Sequence, residues 1–79
     1  MILFDIAGHM VSTEGPDELH AAARKLGLKR EWYHTPGPGE KYSHYDLTTQ
    51  GKRNWARSLG AKRVPKKEIL TRAWWAKGR

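Results

Sequence analysis

The chain alternates short apolar runs with punctuating glycines, prolines and acids, and the apolar spacing changes period from one run to the next. Residues 2–6 (ILFDI) read as a short buried strand ending at Asp5, with Gly8 permitting a sharp turn directly after it. His9-Met10-Val11-Ser12 reads as a second extended stretch. Gly15-Pro16-Asp17-Glu18 is a helix start, because Pro16 suits the first helical position and the two acids favour the positive end of the dipole. That helix is expected to run to about Lys25, with Leu19, Ala22, Ala23 and Leu26 on one face and Gly27 as its left-handed stop.

Arg30 to His34 read as a strand carrying Trp32 and Tyr33, and residues 35–41 (TPGPGEK) as an exposed loop. The chain is extended again from Tyr42 to Tyr45. Asp46 or Thr48 is the expected cap of a second helix that runs to Leu59, with Trp55, Ala56 and Leu59 facing inward and Gly60 ending it. Ala61 to Val64 read as a short strand, and Pro65 starts a third helix carrying Ile69, Leu70, Ala73 and Trp74. The order predicts one compact α/β domain over 1–79, with a small, mostly parallel sheet of three to four short strands flanked by three helices. In such a topology the carboxyl ends of the strands line one edge, where Asp5, His44 and Asp46 should fall.

Size sharpens this picture. The chain has 79 residues and 38% hydrophobic positions, enough for a single modest core in which four Trp, three Tyr and one Phe carry much of the buried area. A partner or a homodimer would add stability to so small a core. With no cysteine, disulfides, thiolate zinc sites and cysteine nucleophiles are excluded. No apolar run approaches transmembrane length and the start lacks signal-peptide character, so the expected partner is not a membrane and the expected compartment is the cytoplasm.

Charge adds a direction. Fifteen Lys and Arg against eight Asp and Glu give a formal +7, and most of the excess follows residue 50. There Arg57, Lys66, Lys67 and Arg72 surround or precede Trp74 and Trp75, two adjacent indoles that cannot both face one core. Such a surface attracts phosphate backbones or an acidic protein, and a half-exposed indole can stack on a base or bury itself in a partner.

The candidate chemistry is imidazole and carboxylate. His20 and Arg24 lie four apart on the first helix, with Asp17 one turn before His20. In an extended Ser43-His44-Tyr45-Asp46, His44 and Asp46 point to one side and Tyr45 to the other, so Asp46 could orient His44 as an acid–base pair. His9 follows Gly8 within reach of Asp5. His20, His44 and Asp46 are therefore the catalytic candidates, and Asp5, His9, His20, Arg24, His44, Asp46 and Arg53 the ligand-binding ones. The residue types would serve a metal or hydrolytic centre, but no HExxH or other tight spacing joins them, so this reading assigns no metal and no cofactor. Neither Ser12 nor Ser43 stands in a nucleophile-elbow context.

An ordered set of short pieces carries a family resemblance: Phe4-Asp5, His9-Met10, Asp17-Glu18-Leu19-His20 with Ala23, Leu26-Gly27, and Arg30 with Trp32-Tyr33. His44-Tyr45-Asp46-Leu47, Lys52-Arg53 and Gly60-Ala61 complete it. The chain resembles an uncharacterised domain-of-unknown-function family of short bacterial and tailed-phage proteins of about this length. The resemblance implies that Asp5, His9, His20, His44, Asp46 and Arg53 occupy the family's polar positions, and that a phage-encoded copy would work in the host cytoplasm. Ile6 stands where that family carries a second acidic residue. The resemblance brings no activity with it.

Residues and charge together favour a small basic module that binds nucleic acid or another phosphate-bearing ligand. The alternatives are a small hydrolase or nuclease using a His/Asp site, and a regulator that binds an acidic host protein.

Overall fold

A computed structural model describes residues 1–35 and 42–76. Its first elements are β1 (Ile2–Phe4) and β2 (His9–Ser12), which pair antiparallel with Leu3 opposite Val11 and Phe4 opposite Met10. Four residues separate them, too few for a crossover, so the connection must be a hairpin. Gly8 closes it with φ 91°, donating its N–H to the Asp5 carbonyl at 2.9 Å. A Cβ at Gly8 would lie 2.4 Å from the Leu47 carbonyl oxygen, so close approach as well as φ demands glycine here.

Helix α1 (Pro16–Lys25) follows, with Leu19 and Ala23 buried, and ends before Gly27 at φ 72°. Two residues form β3 (Tyr45–Asp46), which pairs antiparallel with β2 through His9 opposite Asp46 and Met10 opposite Tyr45. Helix α2 (Gln50–Ser58) is capped by Thr49, whose side chain accepts from the Lys52 N–H at 3.1 Å. Edge strand β4 (Lys62–Arg63) runs parallel to β1, and α3 (Lys66–Arg72) leads into a 3-10 turn, Trp74–Ala76.

The sheet order is β3-β2-β1-β4. It is mixed rather than mostly parallel: β1, β3 and β4 share a direction, but the reversed β2 sits between β3 and β1. The reason is local, since the Gly8 hairpin inserts a strand where a helical crossover would have kept neighbours parallel. The α/β class, four strands and three helices stand. Arg30–Trp32 is a 3-10 turn and not a strand, because the Trp32 and Tyr33 N–H groups bond back to the Lys29 and Arg30 carbonyls. Only His34 of that segment pairs, in an isolated antiparallel bridge with His44. The expected loop at 35–41 falls almost wholly outside the described residues.

Strand alternation divides the core in two. Phe4, Met10 and Tyr45 point to one face and pack with Leu19, Ala23, Leu26, Leu47 and Ala56 from the side of α1 and α2. Leu3 and Val11 point to the other face and pack with Val64, Ile69 and Ala73 from the side of α3. Each large aliphatic side chain so buried contributes about 1.5–3 kcal/mol. Trp74 packs against the first cluster and Trp75 against the second, which is how the two adjacent indoles share the burial. Trp55 and Leu59, expected inside, are 46% and 51% exposed, because α2 buries only Ala56 fully. Among the described residues no helix is long and apolar enough to cross a membrane.

Candidate functional site

Asp5 directly follows β1, and its position places it on the face of Leu3 and Val11. Its carboxylate is 1% exposed and faces the start of β2. There it accepts two hydrogen bonds, from the His9 backbone N–H to Oδ1 at 2.9 Å and from His9 Nδ1 to Oδ2 at 2.9 Å. Burial pushes the Asp5 carboxyl up, but the His9 ring and backbone donors outweigh it and hold the group below its ordinary value. An ionised carboxylate has no proton to give, so the proton of the pair sits on His9 Nδ1. In its neutral form the His9 ring presents a lone pair at Nε2.

The β3 edge supplies the second half. His44 and Asp46 flank Tyr45 and lie on the opposite side from its buried ring, as strand alternation requires. The His44 and His9 ring centroids are 5.1 Å apart, edge to face. His44 Nδ1 donates to the Tyr42 carbonyl at 2.8 Å, and its Nε2 is 3.3 Å from Asp46 Oδ1. Tyr42 holds φ 64°, a left-handed conformation uncommon for an aromatic residue and worth about 1–2 kcal/mol of strain. The other Asp46 oxygen, Oδ2, lies 3.1 Å from His34 Nε2, and the His34 ring stacks on His44 at 4.9 Å. His34 was not among the residues singled out from sequence. Its signal was the pair of extended stretches on either side of residues 35–41, which as a hairpin would set His34 beside His44.

Asp5, His9 and His44 border a cleft of about 320 Å³ between the sheet and α3, whereas His34 and Asp46 line a separate pocket with Trp32 and Lys52. Asp5, His9 and His44 form its polar side, Val11, Ile69, Leu70, Tyr42 and Trp75 its apolar walls, and Lys66 brings a cation from the start of α3. Trp75 is fixed by its indole N–H, which donates to the Ser43 carbonyl at 2.9 Å, and its ring meets Tyr42 edge-on at 5.2 Å.

Other candidates lie elsewhere. His20 sits under the opposite face, where Nδ1 is 2.7 Å from the Tyr45 hydroxyl and the ring packs edge-on against Tyr33 at 4.4 Å. Burial raises the Tyr45 hydroxyl above its ordinary value, against a smaller opposing effect of Arg30. Arg24 is exposed on α1. Arg53 reaches the turn rather than the cleft, with Nε donating to the Leu47 carbonyl at 3.1 Å and Nη2 to that of Ala7 at 3.4 Å. Arg57 and Lys67 are exposed, while Arg72 pairs with Glu68 at 3.1 Å. Ile6, at the position of the resembled family's second acid, is 79% exposed and does not line the cleft.

Comparison with known proteins narrows the identity without adding an activity. No curated protein and no solved structure matches the chain. A family profile described as "Protein of unknown function (DUF4031)" matches residues 5–76, a span that takes in Asp5, His9, His34, His44, Asp46, Lys66 and Trp75. With nearly its whole length so matched, the chain belongs to the DUF4031 family of proteins of unknown function.

Proposed function

We propose that the chain binds a phosphate-bearing ligand, a nucleotide or a stretch of nucleic acid, in the cleft between the sheet and α3. The observation that carries this reading is the composition of the cleft. Aromatic walls from Trp75 and Tyr42 share the lining with imidazoles from His9 and His44, with Lys66, and with Asp5, whose carboxylate is occupied by His9. Aromatic faces stack on bases, while ammonium and imidazole N–H groups meet phosphate oxygens. The volume is at the small end of the roughly 300–1,000 Å³ range of ligand sites, so one nucleotide-sized unit fills it. The formal +7 of the chain would draw polyanions towards it. On this reading the family's short bacterial and phage members share the cleft, and a phage-encoded copy acts on nucleic acid in the host cytoplasm.

The test is fluorescence anisotropy of labelled mixed-sequence oligonucleotides, single- and double-stranded, at about 50 and about 200 mM salt. Binding should weaken steeply with salt, and Lys66→Gln should lower the slope by about one unit. Absence of binding at the lower salt, for both oligonucleotides and for mononucleotides, refutes the reading.

The Asp5–His9 pair favours a second reading. A buried carboxylate that fixes an imidazole with Nε2 turned outward is the arrangement of a general base, and with a bound phosphate ester it would serve hydrolysis. Incubating the oligonucleotides with the wild-type chain and with His9→Gln tests it: cleavage that survives the substitution removes His9 from that role.

A further inference from the structure

His44 carries a mismatch between its ring and its surroundings. Both ring nitrogens face acceptors, the Tyr42 carbonyl at 2.8 Å from Nδ1 and Asp46 Oδ1 at 3.3 Å from Nε2. A neutral imidazole has one N–H. With that proton directed to the carbonyl, the Nε2 lone pair opposes a carboxylate oxygen. Such a contact becomes favourable when a positive charge, either a second ring proton or a metal ion, lies between the two. His9 brings a second imidazole to the same place: Asp5 accepts from its Nδ1, and its ring centroid lies 5.1 Å from that of His44.

From this geometry we infer that His9, His44 and Asp46 form a binding site for one divalent first-row transition-metal ion of the zinc type. One ligand atom from each residue lies within 4.8 Å of the other two. Bonds of about 2.1 Å in tetrahedral geometry require ligand atoms about 3.4 Å apart. The His44–Asp46 edge, at 3.3 Å, already has that length. A short swing of the His9 ring closes the remaining edges.

Two histidines and one carboxylate match the donor set of zinc sites that keep an open position, and no thiolate is needed. The groups behind the ligands fit too. Asp5 holds the far nitrogen of His9, the Tyr42 carbonyl holds that of His44, and His34 holds the second oxygen of Asp46. Partners of this kind fix the tautomer and raise ligand basicity. The strained φ of Tyr42 gains a use, since it belongs to the residue whose carbonyl sets the His44 tautomer.

Two of the three ligands, His9 and His44, line the cleft, and for the occupant of the open coordination position the inference rests on the phosphate reading above. An ion at this point binds a phosphate oxygen directly or lowers the pKa of a bound water. A His9 nitrogen cannot hold a proton and the ion at once, so with the ion bound its Lewis acidity, in place of His9, would ease deprotonation of a water.

The experiment is titration of Co²⁺ and Zn²⁺ into the tag-free chain, without phosphate. Calorimetry follows Zn²⁺, and the visible absorption of the cobalt form reports nitrogen and oxygen ligation. One ion per chain is expected. Loss of binding should follow from His44→Gln and, separately, from Asp46→Asn, with folding checked by circular dichroism. Asp5→Asn should weaken affinity about 10–100-fold. His20→Ala, on the opposite face, should leave it unchanged. Absence of saturable one-to-one binding overturns the inference, as does binding undiminished in folded His44→Gln and Asp46→Asn. Oligonucleotide affinity is then compared with Zn²⁺ and with chelator: affinity unmoved by a loaded ion overturns phosphate as the occupant of the open position, and no binding in either condition refutes the phosphate reading while the metal site stands.

Discussion

Asp5→Asn isolates what the buried carboxylate does. Asp5 accepts at Oδ1 from the His9 backbone N–H and at Oδ2 from His9 Nδ1, each at 2.9 Å. Asparagine offers one oxygen and one NH₂ group in the same shape. The backbone N–H can only donate, so the amide oxygen must stay on it and the NH₂ must turn to the ring. A donor at that point requires Nδ1 to accept, which moves the ring proton to Nε2. The substitution therefore inverts the His9 tautomer without emptying any volume.

The energetic cost follows from charge. Hydrogen bonds to an ionised partner contribute about 1.5–3 kcal/mol, and neutral ones about 0.5–1.5. Each of the two bonds therefore weakens by about 1–1.5 kcal/mol, and because the neutral amide also sheds the burial cost of the charge, the net loss is about 1–2 kcal/mol. For a domain of this size each kcal/mol moves Tm by about 4–8 °C, giving an expected drop of roughly 4–16 °C. Ring ¹⁵N shifts from long-range heteronuclear spectra report the tautomer, and thermal melts followed by circular dichroism report the stability. A folded Asp5→Asn chain whose His9 still carries its proton on Nδ1 refutes the reasoning, as does an unchanged Tm. Asp5→Ala should be worse, because the His9 N–H then loses its acceptor next to the core.

Four further expectations use the same structure. Asp5 and Glu18 are both held below their ordinary carboxyl values; for Glu18 burial acts upward and is outweighed by the Met1 amino group and the Ser12 hydroxyl. A depressed folded value contributes stability that is complete above the unfolded value and lost as pH falls through the folded one. Urea midpoints should thus decline below about pH 5, less steeply in Asp5→Asn, and an identical acid limb in the two chains would contradict this. Gly8→Ala must place a Cβ against the Leu47 carbonyl at φ 91° and should cost more than about 2 kcal/mol in urea unfolding, with a loss under about 1 counting against the turn argument. His20→Ala should lower stability by about 1–3 kcal/mol through Tyr33 and Tyr45 yet leave oligonucleotide affinity within about twofold; a large affinity loss in a folded variant would bring His20 back into the site. Thr49→Ala, which removes the α2 cap, should cost about 0.5–2 kcal/mol by the same unfolding assay.

Local rules made much of the fold readable. Pro16, Gly27, Gly60 and Pro65 bound helices because their backbones permit little else. The side-to-side alternation of His44, Tyr45 and Asp46 follows directly from strand geometry. What was misread depended on partners distant in sequence. The β1–β2 hairpin was hidden because four residues after Phe4 can equally begin a loop towards a crossover. The Arg30–Trp32 turn has strand-forming residues, but Tyr33 packs beside His20 and Tyr45, and the backbone curls to bring it there. Within the candidate site, Asp5 with His9 and His44 with Asp46 were legible as local pairs. Their meeting at the β2–β3 register was not, and His20 looked equivalent to them until the sheet placed it on the far side. Arg53 looked like a free ligand-binding cation, whereas its guanidinium holds the carbonyls of Ala7 and Leu47.

The position of β1 between β2 and β4 has a consequence for how the chain acquires its shape. Pairing with β2 is a local event across a tight turn, but Leu3 and Phe4 must also meet Lys62 and Arg63. Closing a loop of that length costs roughly 3–4 kcal/mol of chain entropy beyond the constant for any closure. During synthesis at about 5–20 residues per second, β1 therefore waits several seconds with one edge unpaired. The α3 wall and Trp75 arrive later still, so the nascent chain holds the Asp5–His9 pair well before it has a cleft. A chain stalled before Lys62 would expose that edge to a second copy, and β-strand exchange between copies is its expected route to aggregation.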